Sequence, residues 1–305
     1  MTTPAPWARR AALGAAAAAA GIAATAAARS LPRPSAVSLP DPLLDIIDRR
    51  RIAVLPLKGV IGGTLRAPDV TRQLDRLRDD GHIRAVVLDI DSPGGSAIES
   101  EALFLATKRL AARKPVVAWI RGTGASGSYF AACGATRLLA FPGAIVGSIG
   151  VISARPILAD VLRRIGASME VTKTGPFKDL GAPWREPTEA DRAKERQLVD
   201  GVFKRFTGAV AGARGFDARQ LKKVTTGEVW LAEEALGLGL IDGLAEEEEA
   251  HVAAQELAGL PRKRIVRIQR RRNLAQRLGL PGATMDGSVW LAELEGWLSA
   301  PRLIV

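Results

Sequence analysis

From Arg51 onward, short unbroken hydrophobic runs alternate with segments whose apolar residues recur at helical spacing. "RIAVLPLKGVIGG" is apolar and β-branched and stops at a Gly pair, which predicts a strand. "APDVTRQLDRLRDDGHI" places Val70, Leu74 and Leu77 on one helical face and ends at Gly81. The alternation continues with a strand in "RAVVLDI", a helix in "SAIESEALFLATKRLAARK", a strand in "PVVAWI", a short helix in "SGSYFAACGA" and a strand in "RLLAF". After "GSIGVI" come a helix around "RPILADVLRRIG" and the strand-like "SMEVTKTG". A long amphipathic helix then opens at Thr188, with Asp191 three residues on as its capping partner. Strands that are apolar throughout, separated by helices, predict an α/β fold: a mostly parallel sheet covered by helices on both faces.

The flanks differ from this body. Arg9 and Arg10 precede an apolar run from Ala11 to Ala28, the layout of a secretory signal or N-terminal anchor. The run is nearly all alanine, so its transfer into lipid is only weakly favourable; a cleaved signal, with "TAAARS" as its small-residue site, or a start placed too far upstream are the alternatives. Residues 1–29 are therefore read as signal or anchor, 30–45 as a Pro-rich linker, 46–260 as the folded domain and 261–305 as a basic amphipathic tail. The net charge of +11 lies largely in these flanks, notably in "PRKRIVRIQRRRNLAQR". Beside the amphipathic "SVWLAELEGWLSAPRLIV", that charge suits an anionic membrane surface or a solvated helix face better than nucleic acid, since no aromatic-interleaved basic motif is present.

Composition narrows the chemistry. A 47% hydrophobic, 25% charged chain is not disordered over most of its length. The single cysteine, Cys133, excludes an internal disulfide and a cysteine-cluster metal site. With two histidines, His82 and His251, both expected at the surface, a zinc site or a Ser-His-Asp triad has little to draw on.

Three segments at the ends of expected strands carry candidate chemistry. In "DIDSPGGS", Gly94 and Gly95 open a helix, where adjacent backbone N–H groups receive an anion; a plain tight turn is the alternative. In "GTGASGSYFAA", Ser126 stands at a strand-to-helix turn with small neighbours that let a substrate approach, the logic of a nucleophile elbow. Its spacing is not the G-x-S-x-G of α/β-hydrolases, and Ser126 or Ser128 acting as a helix cap is the alternative. In "KTGPFKDLGAPWREPTEADR", Lys178 lies among Pro176, Phe177, Leu180 and Trp184. A dry pocket of those side chains would lower its pKa and make it a base for a serine; a surface ion pair with Asp179 is the alternative.

Taken in order and spacing, "VLDIDSPGGS", "GASGSYFAACGA", "GSIGVI", "KTGPFKDLGAPWREPTEADR" and "GEVWLAEEALGLGLIDGL" resemble the signal peptide peptidase A (SppA) family of bacterial serine endopeptidases, peptidase family S49, in its short single-repeat form. The resemblance covers about residues 50 to 250. It implies a ClpP/crotonase-like fold and a Ser-Lys dyad with Ser126 as nucleophile, Lys178 as general base and Ser148 of "GSIG" orienting the lysine amine. It also implies an oxyanion hole at Gly94, with Gly95 beside it, and neither metal nor cofactor. Two departures are Ser128, where glycine is usual, and Phe130, where tyrosine is common; both bear on pocket shape. The implied partners are peptides and unfolded proteins, signal-peptide remnants among them, and further copies of the chain that complete each active site. The implied location is the inner membrane of the bacterial envelope, facing the periplasm. A crotonase-like acyl-CoA enzyme would share the fold without needing the Ser126–Lys178 pair, and a non-catalytic membrane scaffold would need neither residue.

Overall fold

The computed structural model describes residues 49–261, 264–268 and 302–304; the expected signal, linker and most of the basic tail lie outside the described residues. The central strands are β1 (Arg51–Lys58), β2 (Ile83–Ser92) and β3 (Val116–Ala125), with β1 and β3 each parallel to β2. Their period-2 geometry divides one apolar run between two cores. Ala53, Leu55, Val86, Leu88, Ala118 and Ile120 enter the larger core, whereas Ile52, Val54, Ala85, Val87, Val117 and Trp119 enter the smaller one. Both sets are buried, which is why these strands read as continuous hydrophobic runs. Truncating a fully buried member such as Leu88 to alanine costs about 2–5 kcal/mol.

Helices α1 (Ala67–Asp79), α2 (Ala97–Ala111) and the short α3 (Gly127–Ala132) supply the larger core, in which Phe130 lies 4.7 Å from Phe206 and 5.1 Å from Phe104 between ring centroids. Strands β4 (Arg137–Ala140), β5 (Ile145–Gly147) and β6 (Ile152–Ala154) and the helix α4 (Ala159–Arg164) follow. Next comes the long α5 (Glu189–Arg214), which begins with the expected capping box: Asp191 N–H donates to Thr188 Oγ1 at 3.1 Å, and Thr188 N–H donates to the Asp191 carboxylate at 2.9 Å. After α6 (Ala218–Val224), β7 (Val229–Leu231), α7 (Ala232–Gly237) and β8 (Gly243–Leu244), α8 (Glu247–Leu257) closes the opposite face. It contributes Ala250, Ala253 and Ala254, small enough to bring the helix close to the sheet.

The sheet order is β7-β5-β3-β2-β1-β9, with β4 on β3 and β8 on β4; all pairings are parallel except β7 with β5. The chain is thus α/β with a mostly parallel sheet flanked by helices, as its pattern predicts. The last sheet strand, β9 (Ile265–Arg267), pairs with β1, so the sheet extends past residue 260. Among the described residues no helix is long and apolar enough to cross a membrane.

Two expectations change. "SMEVTKTG" forms no strand: Met169 and Val171 are exposed, and without a neighbouring strand the period-2 pattern has no ladder to join. His82 is exposed as expected, but His251 is not at the surface; it is 2% exposed, on the sheet-facing side of α8. The four glutamates before it make α8 look solvent-facing, whereas its alanines set the buried face.

Among the described residues His251 Nε2 has no hydrogen-bond partner; it lies 4.0 Å from the Glu247 carboxylate, which Arg121 and Arg267 already occupy. Burial is the largest cause of its lowered pKa; Arg267 and Arg121 act in the same direction, and Glu247 and Asp89 oppose. The native state therefore binds fewer protons here than the unfolded chain. Stability is full above the unfolded imidazole value and declines as pH falls below about 6.5 toward the lowered native value. Urea melts at pH 8 and pH 5 should show a smaller loss at pH 5 for His251→Gln than for the wild type. Equal losses would remove His251 from the account.

Candidate active site

The site begins with a defect in the ladder. Between the pairs Ile90↔Ile120 and Ser92↔Gly124, β2 contributes one residue, Asp91, and β3 contributes Arg121, Gly122 and Thr123. Such a bulge bends the strand and re-aims its end. Asp91 holds it, its carboxylate accepting the Thr123 N–H at 3.1 Å. A side chain at residue 122 would place its Cβ 2.8 Å from the Asp91 carboxylate and push that carboxylate off the bulge. Before the bulge β3 pairs with β4, and beyond it with β5.

The re-aimed strand delivers Ser126. Every residue from Gly124 to Gly134 is buried except Ser126, which is half-buried. Its φ of 56° lies in the left-handed region, and Ser148, with φ 52°, is the other non-glycine there among the described residues. The two serines are neighbours: each follows a member of the Ala125↔Gly147 pair, and the Ser126 N–H donates to the Gly147 carbonyl at 2.7 Å. Strain of this kind persists where the surroundings over-determine it, and it clusters at functional sites.

The Gly94-Gly95 loop lies beside this turn. The Ser128 hydroxyl is shared between the Ser92 carbonyl, at 2.6 Å, and the Ala125 carbonyl, at 2.8 Å, which ties the end of β2 to the Ser126 turn. Gly94 N–H donates to Ser92 Oγ at 3.2 Å, and the Gly94 carbonyl accepts the Ile61 N–H at 2.8 Å. Gly95 N–H has no partner among the described residues. Neither has Gly127 N–H, at the start of α3 directly after Ser126. The signal for Gly127 in the sequence is its place directly after Ser126, where an elbow nucleophile has its oxyanion donor.

The small residues around Ser126 serve internal packing. A Cβ on Gly124 would lie 2.6 Å from Ile120 Cδ1, and one on Gly134 would lie 2.7 Å from the Phe104 carbonyl on α2. Ser128 and Phe130 are both buried, so these departures from the family pattern are absorbed in the interior. The same holds for Cys133, whose thiol is pushed up to about 12 by burial and is inert as a nucleophile.

Lys178 is placed differently from Ser126, Ser148 and the Gly pair. It lies in the segment after α4, exposed, with exposed Phe177 beside it, so a single chain forms no dry pocket around it. It is not paired with Asp179 either. That carboxylate is taken by Lys173 at 2.8 Å and Arg185 at 2.9 Å, and Arg185 also bonds Asp191 at 2.5 Å. Arg185 holds both carboxyls well below the usual carboxylate range and fastens the Lys178 loop to the start of α5. Trp184 leaves its buried Nε1 without a partner.

Residues 108–261 match the model of peptidase family S49. Over 213 residues the chain is 34% identical to a Synechocystis sp. protein named "Putative protease slr0021", covering 70% of this chain and 76% of that one. It is 27% identical over 215 residues to "Putative signal peptide peptidase SppA" of Enterococcus faecium, covering 66% of this chain and 62% of that one. A solved structure titled "1510-N membrane-bound stomatin-specific protease S97A mutant" aligns with TM-score 0.46 and 16% identity, covering 72% of this chain and 98% of that one.

The Gly pair offers a direct check. Gly95 has φ 148°, and a Cβ there would run into the Ile61 carbonyl oxygen, which accepts the Ser96 N–H at 2.8 Å. Gly95→Ala must displace that backbone bond, and the loop with it. The full chain carrying Gly95→Ala should lose most peptidase activity and melt earlier than wild type. Unchanged activity and melting would show that the loop tolerates a side chain.

Proposed function

The chain belongs to peptidase family S49 and is a serine peptidase, and from that premise we propose a Ser-Lys mechanism with Ser126 as nucleophile and Lys178 as general base. The observation that carries it is Ser126 itself: half-exposed at a strained turn, beside N–H groups without partners. The Lys178 amine takes the Ser126 hydroxyl proton as the oxygen attacks the scissile carbonyl. The oxyanion is received by backbone N–H groups of the Gly94-Gly95 loop, Gly95 foremost, and by that of Gly127. Each such donor is worth about 3 kcal/mol in the transition state. The lysine then gives its proton to the leaving amine, and the acyl group stays on Ser126 Oγ. Water, deprotonated by the Lys178 amine, attacks the acyl carbon, and the proton passes on to Ser126 Oγ as the acid leaves. Ser148 hydrogen-bonds and orients the amine.

Lys178 is exposed in one chain, and the segment that carries it also exposes Ile152, Ile157, Val161, Ile165, Met169 and Phe177. Covering that surface with a second copy gives the apolar side chains a partner and removes the amine from water. Each Ser126 is then served by the Lys178 of a neighbour, in a homo-oligomer. The substrates are extended apolar segments such as signal-peptide remnants, handled at the inner membrane on its periplasmic side. The Enterococcus faecium relative's name supports that substrate class, and the net charge of +11 supports an anionic surface.

Two measurements test this reading. With casein as substrate, Ser126→Ala and Lys178→Ala chains should each be inactive, and their mixture should regain activity through sites with both residues intact. Two active single variants would exclude the dyad, and an inactive mixture would exclude sharing between copies. In flotation with anionic liposomes, a chain ending at Ile268 should float less than the full chain. Equal flotation would exclude the tail as the docking element.

A further inference from the structure

The segment "GEVWLAEEALGLGLIDGL" has no role in the mechanism above, yet its first strand pairs with β5 up to Gly147, the residue before Ser148. β7 runs antiparallel to β5 with Gly147↔Val229 and Val146↔Trp230 as partners. Two contacts cross this pairing. The Glu228 carbonyl accepts the Ser148 N–H at 2.6 Å. The Trp230 ring fills the place where a side chain on residue 147 would be, with Cε3 and Cζ3 at 2.5 and 2.6 Å from that Cβ position.

These contacts meet at one peptide unit. The Gly147 carbonyl accepts the Ser126 N–H at 2.7 Å, and the N–H of the same unit belongs to Ser148, held by Glu228. Gly147 itself has φ 110°, open to glycine and not to a residue with a side chain. The indole therefore lies against the Cα of a residue whose two neighbours in space, Ser126 and Ser148, hold left-handed conformations they would not choose alone. Without the ring, only the Ser126 and Glu228 hydrogen bonds oppose rotation of the 147–148 peptide toward ordinary dihedral angles, and a rotation there carries both hydroxyls with it.

We propose that Trp230 is a positioning residue for the Ser126–Ser148 pair: its ring, wedged against Gly147, fixes the peptide that sets the direction of both hydroxyls. The proposal rests on Ser126 being the nucleophile. It separates Trp230 from ordinary core side chains, because its loss misdirects the nucleophile in molecules that remain folded. A displacement of about 1 Å at a reacting atom costs about 100-fold in rate.

The test uses the full chain and an internally quenched apolar peptide, with Trp230→Phe, Trp230→Leu and Trp230→Ala beside wild type and Ser126→Ala. Thermal melts and sizing give the folded, assembled fraction, and rates are expressed per folded molecule. We expect kcat to fall about 10- to 100-fold in Trp230→Ala, with KM within about twofold, and to recover substantially in Trp230→Phe, whose ring still reaches Gly147. If Trp230→Ala does not fold, the Leu-to-Phe comparison decides in the same way. Rates per folded molecule equal to wild type in the folded variants would overturn the proposal, as would a loss confined to KM. An active Ser126→Ala chain would instead show that the nucleophile is misassigned, and the positioning role would fall with it.

Discussion

The change of partner along β3 is the constraint on which the rest of the site depends. Up to Ile120 the strand is flanked by β2 and β4; from Thr123 it is flanked by β2 and β5. The bulge at Arg121–Thr123 falls at this changeover, between the last pair with β4 and the first pair with β5. It places Ala125 opposite Gly147, and hence Ser126 beside Ser148. The crevice beyond the carboxyl ends of parallel strands is where ligands gather in α/β sheets, and here β2, β3 and β5 all end in it.

The far face of the sheet braces the same bulge. Arg121, its first residue, forms a two-point bond with buried Asp89 at 2.9 and 3.1 Å, reaches Glu247 on α8 at 3.0 Å and stacks 4.6 Å from the Trp119 ring centroid. Arg267 of β9 bonds the same Glu247. Lys58 of β1 reaches the same Asp89 at 3.4 Å, so the charges on this face are shared among β1, β2, β3, α8 and β9, and each carboxylate has two cationic partners. The segment after residue 260, basic and tail-like in the sequence, contributes both a sheet strand and a member of this network.

The segment from β6 to the start of α5 follows a different economy. Its buried apolar side chains before Asp191 are the small Ala159, Ala182 and Pro183, whereas its isoleucines and Phe177 face outward. Its shape is held by ion pairs, chiefly Arg185 with Asp179 and Asp191, and by the Leu158 N–H on the Pro183 carbonyl at 2.6 Å. Ion pairs fix geometry without burying apolar surface, so the segment presents Lys178 on a defined turn and leaves its hydrophobic side chains for a second surface to cover.

Much of this was legible in the chain. Uninterrupted apolar runs separated by amphipathic stretches dictate a parallel sheet between helices, since only a strand buried on both faces can be hydrophobic at every position. The Thr188–Asp191 cap, the Gly pair and the serine at a strand end were visible because they depend on residues a few positions apart. The burial of His251 was not, because four glutamates mask a face set by alanines against a distant sheet. Nor was the reason for the glycines around Ser126: Gly124 yields to Ile120, Gly122 to Asp91 and Gly134 to α2. The sequence by itself determined the elements and the reactive residue types, because those follow from local periodicity and turn chemistry. Only the tertiary structure decided which strand ends meet, how the two serines are strained and that Lys178 faces outward, because these depend on hydrogen bonds and packing between residues far apart in the chain.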